Sequence, residues 1–292
     1  MIDYRKLKAW AFPEVEHTYT AADAMAYALA IGLGADPVDE RQLRFVNDTV
    51  PGTPLAFPTM AVTLGWPGSW MGDGAAGIDF AMIVHGEETV AWDRPIPASG
   101  RVTARHRVTH VVDKGLNRGA TVTYEKELID RASRERVALV THTTFCRGDG
   151  GFSARDGATD APAPPLPKVP QRPPDEQWEF RTLPQQALLY RLCADRNPLH
   201  SEPAVARKAG FERPILHGLC SFGIAGHAIL AMRCAYDPAR LKQLSVRFTA
   251  PVIPGETIRV EIYDEAAEVA FRARAVERDK VVLDYGRALV AR

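Results

Sequence analysis

The sequence predicts an α+β fold made of two tandem antiparallel sheets, each wrapped around a helix. Three observations predict it. The stretch from His217 to Ala235 carries Leu219, Phe222, Ile224, Ala225, Ala228, Ile229, Leu230 and Met232, apolar nearly all round, so a buried helix is expected there. Several segments alternate apolar and polar residues and are separated by short turns rich in Gly, Asp or Lys, which suits antiparallel strands. The order of elements also recurs, so the chain reads as a duplicated unit.

In the first half, Asp23 to Ala35 reads as a helix that ends in the turn Ala35-Asp36-Pro37. The stretch Pro58–Trp70 is the counterpart of the buried helix, but Gly65, Pro67 and Gly68 interrupt it and predict a broken one. A turn from Trp92 to Val102 leads into strands expected at Arg101–Val112, Ala120–Ile129 and Val137–Cys146. Seven prolines between Ala161 and Pro174 then predict an extended, semi-rigid linker. The expected division is a half over 1–156, a linker over 157–176 and a half over 177–292, each half of ordinary domain size.

The second half repeats the pattern. Thr182-Leu183-Pro184-Gln185 has capping-box spacing with a proline in the first turn, so a helix is expected to start there. It should end near Ala194, because Pro198 disfavours helix at Asn197. Ser201 and Pro203 open a short helix that stops at Gly210. The segment Phe248–Ile258 parallels Trp92–Val102. Strands are expected at Leu244–Phe248, Ile258–Tyr263, Val269–Val276 and Val281–Val290.

Composition narrows the function classes. Lys plus Arg and Asp plus Glu both number 36, so no global field points to nucleic acid or an anionic membrane. The N-terminus lacks the apolar core of a signal peptide, and no apolar run reaches the ~20 residues of a membrane helix. Cys146, Cys193, Cys220 and Cys234 are scattered, which predicts reduced thiols and a cytoplasmic protein.

The chemistry gathers between Tyr190 and Cys220. Asp195, Asn197 and His200 fall within six residues on a loop pinned by Pro198. A carboxylate and an imidazole on one rigid loop can hold a water between them, one accepting its proton and the other supplying one. Asn197 can fix the loop or the water. Gly218 stands at the expected start of the buried helix, where a free backbone N–H and the helix dipole favour negative charge. Asp-x-Asn-Pro is also a good turn by itself, but a turn needs neither His200 nor His217-Gly218. For His217 alone, helix capping or packing weighs at least as much as chemistry.

The run Asp195-x-Asn197-Pro198-Leu199-His200, with Gly218 at matching distance, resembles the hydratase 2 motif of MaoC-like (R)-specific enoyl-CoA hydratases. The overall layout is similar to the hydratase unit of peroxisomal multifunctional enzyme type 2. The resemblance implies a double hot-dog fold and reversible addition of water to a trans-2-enoyl-CoA. It implies Asp195 and His200 as the catalytic pair, Asn197 in support, and Gly218 as donor to the thioester oxygen. Tyr190 matches a tyrosine kept ahead of the loop. His85, Gly86 and Glu87, Lys114 with Gly115, and Phe248 match positions that line the acyl-CoA site. It implies no cofactor beyond the CoA of the substrate, an acyl-CoA thioester as partner, and room for a homodimer.

This chain departs from the family pattern at three positions. Ala194 stands where glycine is usual, which would strain the backbone if φ there is positive. Arg196 replaces an aromatic residue, and Glu202 replaces an aspartate. The first half keeps Ala35-Asp36-Pro37 without a following histidine, and Pro58-Thr59 stands near where His217-Gly218 would fall. That half is therefore expected to complete the pocket, with its broken helix leaving room for a bulky acyl group. Open alternatives are a branched or dicarboxylic acyl-CoA of mesaconyl type, an acyl-carrier-protein thioester, a non-catalytic acyl-CoA-binding subunit and a thioesterase. His106 and His110 are read on one strand face, with spacing that suits a shared metal poorly.

Overall fold

The structure, a computed structural model, describes residues 2–155, 157–193 and 195–291. Among the described residues, ten strands form one antiparallel sheet in the order β1-β3-β4-β5-β2-β7-β10-β9-β8-β6. The first five are β1 (Val15–Tyr19), β2 (Ile83–Trp92), β3 (Gly100–Asp113), β4 (Ala120–Asp130) and β5 (Arg136–Cys146). The others are β6 (Glu176–Arg181), β7 (Leu241–Phe248), β8 (Thr257–Asp264), β9 (Val269–Ala275) and β10 (Lys280–Val290). The helices are α1 (Tyr4–Lys8), α2 (Ala21–Ala30), α3 (Glu40–Leu43), α4 (Gln186–Cys193), α5 (Pro203–Lys208) and α6 (Gly218–Cys234).

Each half contributes five strands, and the halves join where β2 pairs with β7, from Glu87 opposite Arg247 to Ala91 opposite Gln243. Three strands were not legible in advance. β1 and β6 are short edge strands, and in β2 a bulge at Gly86 breaks the period of two. The bulge puts His85 and Glu88 on one face, where they hydrogen-bond.

Helix α6 runs for 17 residues through the core. Phe222, Ile224, Ala225, Ala228, Ile229 and Leu230 are fully buried, and pack with Leu244, Val246, Ile258 and Val260 of the sheet. Gly223 and Gly226 let the other half approach α6. A Cβ would meet Ile31 at 2.6 Å from Gly223 and Thr59 at 2.8 Å from Gly226. In the first half, the segment Pro58–Val62 is a single 3-10 turn, and Gly65 has φ +61° with Ala104 directly against it. The irregular chain beyond it packs its own Trp70 and Met71 into the space beside Val108, Val111 and Val122. Lys126 holds the break, its buried ammonium donating to the carbonyls of Ala61, Val62 and Leu64. A helix that ends early leaves such carbonyls without partners.

Two local expectations are corrected. Thr182 does not cap α4: its hydroxyl donates to the Glu256 carbonyl and accepts from Gly255 N, while Gln186 Oε1 accepts from Leu183 N. His110 does not share a face with His106, because a bulge between Val108 and His110 shifts the register and turns His110 over.

The stretch from 157 to 175 has neither helix nor strand, yet it is tied to both halves. The Asp160 carboxylate accepts from Val111 N, Tyr4 and Lys8, and Arg287 donates to the Lys168 carbonyl. The four cysteines are free, three of them buried. Among the described residues, no helix is long and apolar enough to cross a membrane.

Candidate active site

Three backbone features bring the predicted residues together. Helix α4 ends at Cys193, and Ala194, the position of the expected backbone strain, lies outside the described residues. Asp195 then closes an Asx turn, its Oδ1 accepting from Asn197 N at 2.8 Å. Asn197 caps the 3-10 turn Pro198–His200, with Oδ1 accepting from Leu199 N at 3.0 Å. Asn197 therefore fixes the loop through its oxygen.

His200 is buried, 8% exposed, and its Nδ1 lies 2.9 Å from the Ile215 carbonyl. A carbonyl only accepts, so Nδ1 carries the proton and Nε2 is the acceptor of the neutral ring. His217 Nε2 likewise donates to the Asp195 carbonyl at 3.0 Å. His217 is thus the N-terminal neighbour of α6 without capping it, and it braces the backbone of the acid. The His200 and His217 rings stack with centroids 3.8 Å apart. Burial, then the neighbouring His200, pushes His217 down to about 3, and burial also lowers His200. Both rings are therefore neutral near pH 7.

A carboxylate oxygen of Asp195 and a ring nitrogen of each of His200 and His217 lie within 4.8 Å of one another, a gap that one water can bridge. The N-terminus of α6 lies beside them at Gly218. A Cβ on Gly218 would sit 3.1 Å from the Phe248 ring, so the glycine keeps this approach open. Phe248 in turn packs on His85, with ring centroids 4.2 Å apart.

The other predicted residues fall in two groups. Tyr190 is fully buried with its ring 5.0 Å from that of His217, and its hydroxyl has no hydrogen-bond partner among the described residues. His85 and Gly86 are on β2, and the His85 ring connects to Gly218 through Phe248. Lys114 lies in the β3–β4 hairpin with its ammonium 5.3 Å from the centre of the Phe145 ring, and shares no described contact with the 195–200 loop.

Sequence reasoning missed Glu88 and His142. Glu88 Oε2 lies 2.9 Å from both His85 Nε2 and His142 Nδ1. Burial by itself would raise the Glu88 carboxyl, but the two imidazoles converging on it outweigh burial and hold it down at about 2. Burial pushes His85 down to about 4. Pairing across strands made this cluster, and only the hidden bulge at Gly86 could have signalled it. Among the described residues, this trio and the Asp195-His200-His217 trio have donor atoms close enough for a metal ion. In both trios each imidazole gives a proton to an oxygen acceptor.

A ten-stranded antiparallel sheet wrapped around a central helix, with an acid, an amide, an imidazole and the helix N-terminus close together, has the architecture of the hot-dog class. A solved protein from Mycobacterium tuberculosis described as a double hotdog fold aligns over 97% of this chain and 94% of its own, with TM-score 0.55 at 20% identity. The MaoC like domain matches residues 166–285, and the MFE-2 hydratase 2 N-terminal domain matches residues 17–148. The chain is 38% identical to the peroxisomal enoyl-CoA hydratase 2 of Arabidopsis thaliana, over 95% of this chain and 92% of that one. The crystal structure of a MaoC-like dehydratase from Phytophthora capsici covers 100% of this chain, and the match covers 99% of that one, with TM-score 0.86 and 33% identity. The chain belongs to the MaoC-like hydratase 2 family.

Proposed function

We propose that the protein is a (3R)-specific enoyl-CoA hydratase that also runs in reverse as a 3-hydroxyacyl-CoA dehydratase. The observation that carries this reading is the Asp195 carboxylate within 4.8 Å of His200 on a rigid loop beside the start of α6. Water bound between the two adds its hydroxyl to C3, and a proton goes to C2. One member of the pair takes the proton of the water and the pair returns one to carbon, so the net change is H and OH. The thioester oxygen gains enolate character and receives the Gly218 N–H, reinforced by the helix dipole. His200, with Nδ1–H held by Ile215, presents Nε2 to the water. Asn197 and His217 hold the loop in register. No step calls for a metal or redox cofactor, and CoA enters as part of the substrate.

The second half, 177–292, carries the reacting groups. The first half, 1–156, closes the pocket and holds the acyl-CoA through His85, Gly86 and Lys114, joined by Phe248 from the second half, while Tyr190 backs the catalytic loop. The stretch 157–176 ties the halves together. Four free thiols suit a reducing compartment.

The test is loss of enoyl-thioester absorbance over a panel of acyl-CoAs, with chiral analysis of the product. A (3R)-3-hydroxyacyl-CoA supports the reading. Binding without turnover of any enoyl thioester, or release of free thiol, would sink it.

A further inference from the structure

Across the inner face of the first half, one cross-strand row is polar. Tyr124 on β4 faces His142 on β5, His142 faces Glu88 on β2, and Glu88 faces Val246 on β7, where the row turns apolar. His85 joins the row at Glu88, and its ring lies 3.9 Å from that of His142. The Glu88 carboxylate is sealed, with 2% of its side chain exposed, whereas His85 and His142 keep 21% and 20%.

The hydrogen bonds assign the protons. Glu88 Oε2 only accepts, so His85 Nε2 and His142 Nδ1 both donate to it. A neutral imidazole has one N–H, and each ring has given it to Glu88. His142 Nε2 is therefore an acceptor, while the His85 ring is engaged by the Glu87 backbone as well as by Glu88. Tyr124 lies 4.9 Å from His142, ring to ring, and its hydroxyl has no described hydrogen-bond partner. Lys126 offers no donor here, because three backbone carbonyls engage its ammonium.

We propose that Tyr124, His142, His85 and the Glu88 beneath them form a specificity subsite that selects enoyl thioesters whose acyl chain carries a hydroxyl group and disfavours those that carry a carboxylate. The inference rests on the hydratase reading, since His85 adjoins Phe248 and Phe248 adjoins Gly218. A hydroxyl gives its proton to an imidazole nitrogen and accepts one from Tyr124. A saturated chain covers the same polar atoms and leaves them unpaired. A carboxylate has no proton to give, and it meets the charge on Glu88 at short range. A site built to hydrogen-bond a group discriminates strongly against its absence.

The test measures kcat/KM at about pH 8, above the titration range of imidazole, for matched enoyl-CoAs. One series carries a plain alkyl chain, one a hydroxyl moved one carbon at a time, and one a terminal carboxylate. At one hydroxyl position kcat/KM should exceed the alkyl value about tenfold, and the carboxylate should fall about tenfold below it. In His142→Phe and Tyr124→Phe, the hydroxyl-to-alkyl ratio should approach one. In Glu88→Gln, the carboxylate penalty should shrink. Circular dichroism checks folding, and His142→Gln replaces His142→Phe if the latter does not fold. A flat hydroxyl series with alkyl substrates turned over would overturn the subsite and leave the hydratase reading standing. A hydroxyl preference unchanged in the folded variants would overturn it too. No turnover of any series would instead overturn the hydratase reading.

Discussion

Asp36 and Asp195 occupy the same kind of turn in the two halves of the chain. Asp36 Oδ1 accepts from Val38 N at 3.0 Å, and Asp195 Oδ1 accepts from Asn197 N at 2.8 Å. Beyond the turn the two halves diverge. After Asp36 come Val38 and Asp39, neither an imidazole, and Pro58-Thr59 stands where a helix N-terminus would be. Thr59 Oγ1 accepts from the Tyr27 hydroxyl in the core. After Asp195 come His200 and the start of α6 at Gly218. The Asx turn is thus common to both halves, and what differs is the groups that stand beside it.

The inner faces differ in the opposite sense. The sheet of the second half packs Leu244, Ile258, Val260, Phe271 and Ala273 on α6. The first half has only a 3-10 turn at the corresponding place, and it carries Glu88, His85, His142, Tyr124 and Lys126 on its inner face. An intact apolar helix demands an apolar sheet. A broken one exposes backbone carbonyls and admits polar side chains that satisfy them.

The largest expected effect sharpens the contrast between the two turns. Asp195→Asn or His200→Gln should lower kcat by about 10³-fold or more with the fold intact, while Asp36→Asn should stay within about twofold. Steady-state kinetics with thermal melts check both, and near-normal turnover in either second-half variant would break the comparison.

Next come two glycines. Gly218→Ala places a Cβ 3.1 Å from Phe248, at the proposed oxyanion donor, and should lower kcat about 10- to 100-fold with a small change in KM. Gly65→Ala, at φ +61° and against Ala104, should instead cost about 1–3 kcal/mol of stability, read by denaturant unfolding. The same kinetic loss from both would erase the division of labour.

Acid should act on both halves. Burial holds His85, His106 and His227 near about 4 and His217 near about 3. Below pH ~6.5 the unfolded chain takes up these protons and the folded chain does not, so stability falls as pH falls towards 4. Each such group contributes up to about 1.4 kcal/mol per pH unit in that window. Melting temperature should drop clearly between about pH 7 and about pH 5. His227→Gln should flatten the drop, and a flat profile in the parent protein would contradict the neutral imidazoles.

The smallest effect concerns the seam between the halves. Arg247 pairs with Glu87 across β2 and β7, and both side chains are about a third exposed. Arg247→Ala should cost about 1 kcal/mol or less, read by thermal unfolding. A larger loss would mean that this ion pair, and not strand pairing, joins the sheet.

Much of the plan was legible. Seven strands came from alternation, and α6 from its all-round apolarity. The candidates Asp195, Asn197 and His200 were read from the loop around Pro198, and Gly218 from the expected start of the buried helix. The rest was hidden for definite reasons. The bulge at Gly86 masked β2, the bulge near Thr109 turned His110 over, and Thr182 gave its hydroxyl to a distant carbonyl in place of its own helix.

By itself, the sequence determined the turn around Pro198 and the buried helix, because these depend on neighbours close along the chain. The tertiary structure alone decided how β2 meets β7, that His217 braces the Asp195 carbonyl, and that Glu88 gathers two imidazoles. Glu88 and His142 are 54 residues apart. No local pattern encodes their register, because it is set by the pairing of β2 with β5 across the sheet.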